Sequence, residues 1–221
     1  MTSTILAISP HLDDAVFSLG GYLFRKAREG VRVVIATVFT GSVDRPTGFA
    51  LACQTDKGLT ADADYMAIRR AEDEAACALI GATPVHLGFL EAPHRGYDSA
   101  AALFAEPWPE RALEDRLARA IESLRRNLDC PLIFGPEAIG DHVDHLLVRR
   151  VLDRSSENIN LWADAPYTMR SGWQPAEQKR IGLDVDETDR KRQAIEAYRS
   201  QLGFQFPQGV DRGSISSEYI G

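Results

Sequence analysis

The spacing of apolar residues changes period twice within the first forty positions. Ile5-Leu6-Ala7-Ile8 is an unbroken apolar run closed by Ser9-Pro10, which predicts a buried strand. From Ala15 to Arg28 the apolar residues Val16, Leu19, Leu23 and Ala27 recur at helical spacing, and Gly30 supplies the stop. Val31 to Phe39 is rich in β-branched residues and predicts a second buried strand. The same reasoning predicts helices over 64–80, 110–128 and 142–154, strands over 84–89, 132–134 and 159–162, and a late helix over 193–202. On the helix over 64–80, Ala71, Ala75, Ala76 and Leu79 are the expected inward face. Two stretches, 40–64 and 90–107, have no period, and connections of that length are often functional.

Strands alternating with helices predict a single Rossmann-like α/β domain over residues 1–221, with a mostly parallel sheet covered by helices on both faces. In such sheets ligands bind outside the carboxyl ends of the strands. That rule selects the loops after Ile8, Phe39, Phe89 and Phe134. Gly20-Gly21 inside the first helix costs about 1 kcal/mol per glycine relative to alanine, which close packing of that helix on the sheet would explain. No G-x-G-x-x-G follows the first strand, so the glycines are not a dinucleotide fingerprint.

Chemistry concentrates in two of those loops. Ser9-Pro10-His11-Leu12-Asp13-Asp14 follows the first strand, and Gly140-Asp141-His142-Val143-Asp144-His145 follows the strand over 132–134. Helix capping by Asp13, Asp14 or Asp141 is the plain alternative. A cap uses one carboxylate, however, and explains neither the second one nor the histidines. Three of the five histidines of the chain fall in these two short segments. Two histidines and one carboxylate with an open position make a familiar catalytic zinc arrangement, although Fe(II) or another divalent ion also suits nitrogen and oxygen donors. His11 and Asp14 are three apart, so a helix starting there can aim both at one point. Amide hydrolysis at such a site also needs a base and an acid.

Composition narrows the alternatives. A formal charge of −7 without a long Lys/Arg cluster argues against nucleic-acid partners and anionic membrane surfaces. The N-terminus lacks a basic region and a long apolar core, so no signal peptide is expected, and the chain is expected to be cytoplasmic. Cys53, Cys77 and Cys130 do not pair as a C-x-x-C motif; Cys77 and Cys130 read as core residues and Cys53 as a loop residue. A serine-hydrolase mechanism is excluded by the lack of a G-x-S-x-G elbow.

Pro10-His11-Leu12-Asp13-Asp14 with Gly20-Gly21 behind it, Arg69 and Glu72 leading to Gly81, and His142-Val143-Asp144-His145 together resemble the PIG-L/LmbE-like de-N-acetylases. The resemblance spans roughly residues 4–155 and leaves 156–221 as a part that shapes the substrate pocket. It implies an LmbE-like fold and a zinc-dependent N-deacetylase acting on N-acetylglucosamine-containing conjugates. It further implies that His11, Asp14 and His145 hold the metal, that Asp13 is the general base, that His142 protonates the amine or stabilises the oxyanion, and that Asp144 orients His142. Arg69 resembles the arginine near the family's substrate pocket, with an ion pair to Glu72 as the alternative. Arg95 and Tyr97, in the loop His94–Asp98, are expected either to touch substrate or to lie in a solvated loop. The chain departs from the family in having Leu12 where proline is commonest, and Gly140 where some members carry an oxyanion-binding tyrosine. Tyr167 or Tyr97 could replace that tyrosine. Members of the family are often oligomeric, so a homo-oligomer is among the expected forms.

Two rival functions fit the same residues. One is a zinc amidohydrolase acting on an N-acyl group that is not on a sugar. The other is a non-catalytic α/β module that binds a sugar or nucleotide, its carboxylates serving only as caps.

Overall fold

In the computed structural model, which describes residues 3–129, 132–155, 158–170, 172–174 and 179–221, each apolar run becomes an element of one α/β sheet. The strands are β1 (Thr4–Ser9), β2 (Arg32–Phe39), β3 (Ala82–Phe89), β4 (Leu132–Pro136), β5 (Ile159–Trp162), β6 (Lys179–Gly182) and β7 (Ser217–Ile220). The helices are α1 (Asp14–Arg28), α2 (Gly48–Thr55), α3 (Tyr65–Ile80), α4 (Arg111–Leu128), α5 (Val143–Asp153), α6 (Tyr167–Arg170), α7 (Val185–Ala197), α8 (Arg199–Gln205) and α9 (Arg212–Ile215). The sheet order is β3-β2-β1-β4-β5-β7-β6, with β1 to β5 parallel and β7 antiparallel to both its neighbours.

Successive residues of the central strands serve opposite faces, as the period of a strand requires. Ile5, Ala7, Val33 and Ile35 pack with α1, α3 and α7. Leu6, Ile8, Val34 and Ala36 pack on the other face with Leu117 and Ile121 of α4 and Leu147, Val148, Val151 and Leu152 of α5. Burial on both faces is why β1 and β2 read as continuous apolar runs. The chain leaves β1 toward β2 and β3 on one side, and continues through β4 and β5 on the other. The boundary between β1 and β4 is therefore the topological switch point, and both histidine motifs emerge beside it.

The structure corrects several sequence expectations. The stretch 40–64 contains α2, and the late helix is two helices, α7 and α8, broken at Tyr198. On α3 the buried face carries Arg69, Asp73, Ala76, Cys77 and Ile80, while Ala71 and Ala75 are exposed. Ala76 and Leu79 do pack inward as expected, but Arg69 and Asp73 take two positions of that face because they are ion-paired or hydrogen-bonded, so the apolar period ran to one side of the buried stripe. Gly20-Gly21 does pack closely, but against the C-terminal segment: a Cβ on Gly21 would collide with Leu183, and one on Gly20 would touch Lys191 of α7. Beside them Glu218 of β7 accepts hydrogen bonds from the backbone N–H groups of Gly21 and Tyr22, at 2.9 and 2.8 Å, and pairs with the buried ammonium of Lys191 at 2.8 Å. Cys77 is buried as expected, Cys53 is half-buried on α2, and Cys130 lies outside the described residues. No helix among the described residues is long and apolar enough to cross a membrane.

Candidate active site

The turn after β1 is held by a serine, which leaves its carboxylates free for other work. Ser9 Oγ donates to the carbonyl of His11 at 2.7 Å and accepts from the N–H of Ala15 at 3.0 Å. Ser9 thereby satisfies a first-turn donor of α1, a task otherwise given to an N-cap side chain. Asp13 occupies the N-cap position without a side-chain capping bond. Asp14 bends back, its Oδ2 accepting the N–H of His11 at 2.7 Å. After β4, the loop runs through three residues with left-handed backbone, Ala138, Gly140 and Asp141, before α5 begins. The sharp loop delivers His142 and His145 beside the first motif. His142 is itself the N-cap of α5, its Nδ1 accepting the N–H of Asp144 at 3.2 Å.

The imidazoles of His11 and His145 have centroids 5.2 Å apart, and those of His11 and His142 are 5.0 Å apart. Each of the three histidines offers a nitrogen within 4.8 Å of the others. Asp14 Oδ2 lies 3.2 Å from both His11 Nδ1 and His145 Nε2. The far nitrogen of each of these two rings is fixed by a buried carboxylate: His11 Nε2 meets Asp144 Oδ2 at 2.9 Å, and His145 Nδ1 meets Asp164 Oδ1 at 2.9 Å. Both inward nitrogens therefore present lone pairs toward Asp14. His145 Nε2 is buried and, although near Asp14, makes no hydrogen bond. Lone pairs from two imidazoles and a carboxylate converging in a buried space repel one another unless a cation or protons stand between them. The donor set thus fits a divalent ion held by His11, Asp14 and His145, with histidines oriented by carboxylates in the manner usual for metal sites.

The electrostatics follow from the same crowding. Burial works against the charged form of His145, but the Asp14 and Asp164 carboxylates outweigh it and hold the ring up to about 9. Burial likewise opposes ionisation of Asp14, and His145 and His11 outweigh it to hold the carboxyl well below its usual range. Asp13 is pushed up to about 7 by burial and by the adjacent Asp14. His142 is pushed down to about 3 by burial and by His11, so it is neutral.

Asp13 stands apart from the converging atoms, 3.6 Å from the guanidinium of Arg69. Arg69 also pairs with Glu91, and its Nε is buried without a hydrogen bond. The expected alternative pair with Glu72 does not form; Glu72 instead accepts from the backbone N–H and hydroxyl of Ser200. His11, Asp14 and His142 of the cluster line a cavity of about 280 Å³ together with Asp13, Arg69, Glu91, Lys57, Tyr167 and Phe204, while His145 is fully buried behind them. The cavity walls come from the two aperiodic stretches and from the C-terminal part of the chain.

Three sequence expectations are corrected here. Asp144 orients His142 only through its backbone N–H, since its carboxylate takes His11 Nε2, the N–H of Ala92 at 3.1 Å and Arg95 Nη1 at 2.8 Å. Arg95 is absent from the cavity lining because Asp144 and Glu110 claim its guanidinium. Tyr97 is buried outside the cavity, its hydroxyl accepting the N–H of Trp108 at 3.0 Å and lying 3.4 Å from Glu110. Tyr167 does reach the cavity: its ring lies 5.5 Å from that of His145 and fills the space over Gly140, where a Cβ would meet it at 2.5 Å. Asp164 and Glu91 were missed. Asp164 carried a signal, being a lone acid at the carboxyl end of a parallel strand within Trp162-Ala163-Asp164-Ala165-Pro166.

Comparisons agree with this architecture. Residues 6–155 match the family described as PIG-L: GlcNAc-PI de-N-acetylase. The 2'-N-acetylparomamine deacetylase of Streptomyces fradiae is 29% identical over 88% of this chain, and the chain spans 65% of that relative's length. Among solved structures, the antimicrobial reagent A40926 pseudoaglycone deacetylase Dbv21 has a TM-score of 0.79 at 31% identity, covering 92% of this chain and 84% of that one. The zinc inhibited form of teicoplanin deacetylase Orf2 has a TM-score of 0.80 at 30% identity, covering 91% of this chain and 85% of that one. With the family match running from β1 through α5 and both histidine motifs inside it, the chain belongs to the PIG-L family.

Proposed function

We propose that this protein hydrolyses the N-acetyl amide of an amino sugar carried in a conjugate, releasing acetate and a free amine with the help of a divalent ion. The observation that carries the reading is the buried Nε2 of His145, 3.2 Å from Asp14 Oδ2 without a hydrogen bond, with His11 Nδ1 at the same distance from that oxygen and Asp13 left outside the set. The named deacetylase relatives supply the reaction class.

His11, Asp14 and His145 would hold the ion. When bound, it polarises the acyl carbonyl and acidifies the attacking water. Asp13 takes a proton from that water as the oxygen adds to the acyl carbon. Arg69, 3.6 Å away, keeps the carboxylate aimed into the cavity. His142 accepts the N–H of Asp144 at Nδ1, so a neutral ring carries its proton on Nε2. That N–H donates to the developing oxyanion, with Tyr167 placed as a second donor. Because His142 is neutral, the proton that Asp13 has taken is the one delivered to the nitrogen as the C–N bond breaks. Residues 156–221 belong to the same catalytic unit, since they supply Asp164 and Tyr167.

Zinc, Fe(II) and other divalent ions all suit this donor set. A zinc inhibited form of one structural relative is reason to test several. Purified protein, stripped and reloaded with single ions, is assayed for amine release from N-acetylglucosaminides and from N-acetyl amino acids. Metal-dependent release from the sugars is expected. Release from the amino acids alone transfers the reading to a non-sugar amidohydrolase. A protein that binds no ion with useful affinity is the binding module instead.

A further inference from the structure

We propose that Tyr65 and Gln201 read one hydroxyl of the sugar, Gln201 Oε1 accepting its proton and Tyr65 Oη donating to its oxygen, and that Glu72 and Ser200 are the positioning residues that fix the direction of this pair. The inference rests on the proposed N-deacylation and names groups that choose among its substrates.

A count of protons along four side chains fixes the direction. Glu72 of α3 grips the first turn of α8 at two atoms of Ser200: the backbone N–H donates to Glu72 Oε1 at 2.8 Å and the hydroxyl to Oε2 at 2.7 Å. A carboxylate only accepts, so the single hydroxyl proton of Ser200 is committed to it. Ser200 Oγ can then only accept from its neighbour, and the atom of Gln201 that lies 2.7 Å from it must be the amide nitrogen. That nitrogen also donates to Tyr65 Oη at 2.9 Å. Because Tyr65 accepts there, its own proton is left without an acceptor among the described residues. Gln201 Oε1 likewise meets no donor among the described residues.

Tyr65 and Gln201 are 8% and 3% exposed, and both line the cavity. A donor and an acceptor left over in a buried wall call for a partner from the cavity. One oxygen can serve both. Gln201 Nε2 is 2.9 Å from Tyr65 Oη and the two polar atoms of an amide are about 2.2 Å apart, so Oε1 and Oη are separated by about 5 Å at most. A hydroxyl oxygen at about 2.7–2.8 Å from each spans that gap. The pair stands near the reaction, since the Arg69 guanidinium lies 5.4 Å from the centre of the Tyr65 ring and 3.6 Å from Asp13. It also selects by chemistry. An ammonium only donates and a carboxylate only accepts, so each leaves one member of the pair unmet, whereas a hydroxyl satisfies both. Burial pushes the phenol well above its ordinary range, which keeps its proton in place. A sugar lacking the hydroxyl leaves two buried groups unpaired, which costs more than a lost apolar contact.

The test is a kinetic cycle between ligand and protein. Amine release by the ion-loaded protein is compared for methyl N-acetylglucosaminide and its 3-deoxy, 4-deoxy and 6-deoxy analogues. One analogue is expected to lose about tenfold or more in kcat/KM. In Tyr65→Phe, which removes a single oxygen, and in Gln201→Leu, the parent sugar should fall by a similar factor, and the disadvantage of that analogue should shrink to about twofold or less. Ser200→Ala frees the Gln201 amide to rotate by half a turn; its loss should appear in KM rather than kcat, and Ser200→Thr, which keeps the hydroxyl, should restore KM. Three analogues as good as the parent in the unmodified protein, or a disadvantage undiminished in both Tyr65→Phe and Gln201→Leu, would overturn the pair. A Ser200→Ala loss confined to kcat, or one that threonine does not rescue, would overturn the positioning role. Failure of the deacylase reading shows differently, as no amine release from any N-acetyl glycoside, and takes the pair with it.

Discussion

His145 Nδ1 and Asp164 Oδ1 lie 2.9 Å apart in a fully buried pair that joins the helix after β4 to the loop after β5. Asp164 also accepts the N–H of Ile139 at 3.0 Å, tying the same carboxylate to the left-handed loop that precedes His142. One side chain therefore sets both the orientation of the His145 ring and the path of the loop delivering His142. Replacing Asp164 with Asn keeps an acceptor for Ile139 and removes the charge. Affinity for the ion is expected to fall about 10- to 100-fold, as for other carboxylates behind metal-bound histidines. A chelator-competition titration reads the change, and unaltered affinity would remove Asp164 from the machinery.

Asp13 and the ion are expected to separate cleanly. Asp13→Ala should lose turnover by at least 10²-fold, the lower end for a general base, while metal analysis still returns the occupancy of the unmodified protein. Full activity in that variant would discard Asp13 as base. Loss of metal along with activity would instead place Asp13 among the ligands.

Chelation followed by dialysis should abolish amine release, and re-addition of a suitable divalent ion should recover it. Two apolar layers flank the sheet away from the cluster, so the fold is expected to persist without the ion. The stripped protein should therefore keep its far-ultraviolet circular dichroism. Collapse of that signal on stripping would show the ion to be structural.

Much of this site was legible in the sequence, for a physical reason. β1 and β4 are buried on both faces and read as apolar runs, so His11, Asp13, Asp14, His142 and His145 stood out as polar chemistry at their ends. Arg95 and Tyr97 misled because a loop position does not reveal which carboxylate will claim a side chain; Asp144 and Glu110 lie 49 and 15 residues away from Arg95. Four-residue strands such as β6 and β7 have no room for a period, and the antiparallel edge went unseen. β5, also four residues long, was legible because it is apolar, and Asp164 just beyond it was overlooked because no histidine stands beside it in the sequence.

Lys191 and Glu218 give a stability prediction. Their side chains are 2% and 0% exposed, and the carboxylate also accepts two backbone donors of α1. Lys191→Met leaves that carboxylate buried without its cation and should cost about 3–5 kcal/mol. Adding Glu218→Gln should recover part of the loss, since a neutral amide tolerates burial better than an unpaired charge. Urea denaturation of the three proteins measures both steps, and additive losses in the double variant would refute the pairing.

The same carboxylate has a consequence for how the protein is made. Gly21 of α1 and Glu218 of β7 are 197 residues apart in the chain, yet two N–H groups of α1 are met by that carboxylate, on a strand that lies between β5 and β6 in the sheet. Those two donors of α1 are therefore unmet until β7 has been made and folded against it. A nascent chain stalled before Ser217 would present an open β5 edge and a stranded lysine, which is the kind of surface that chaperones and proteases recognise.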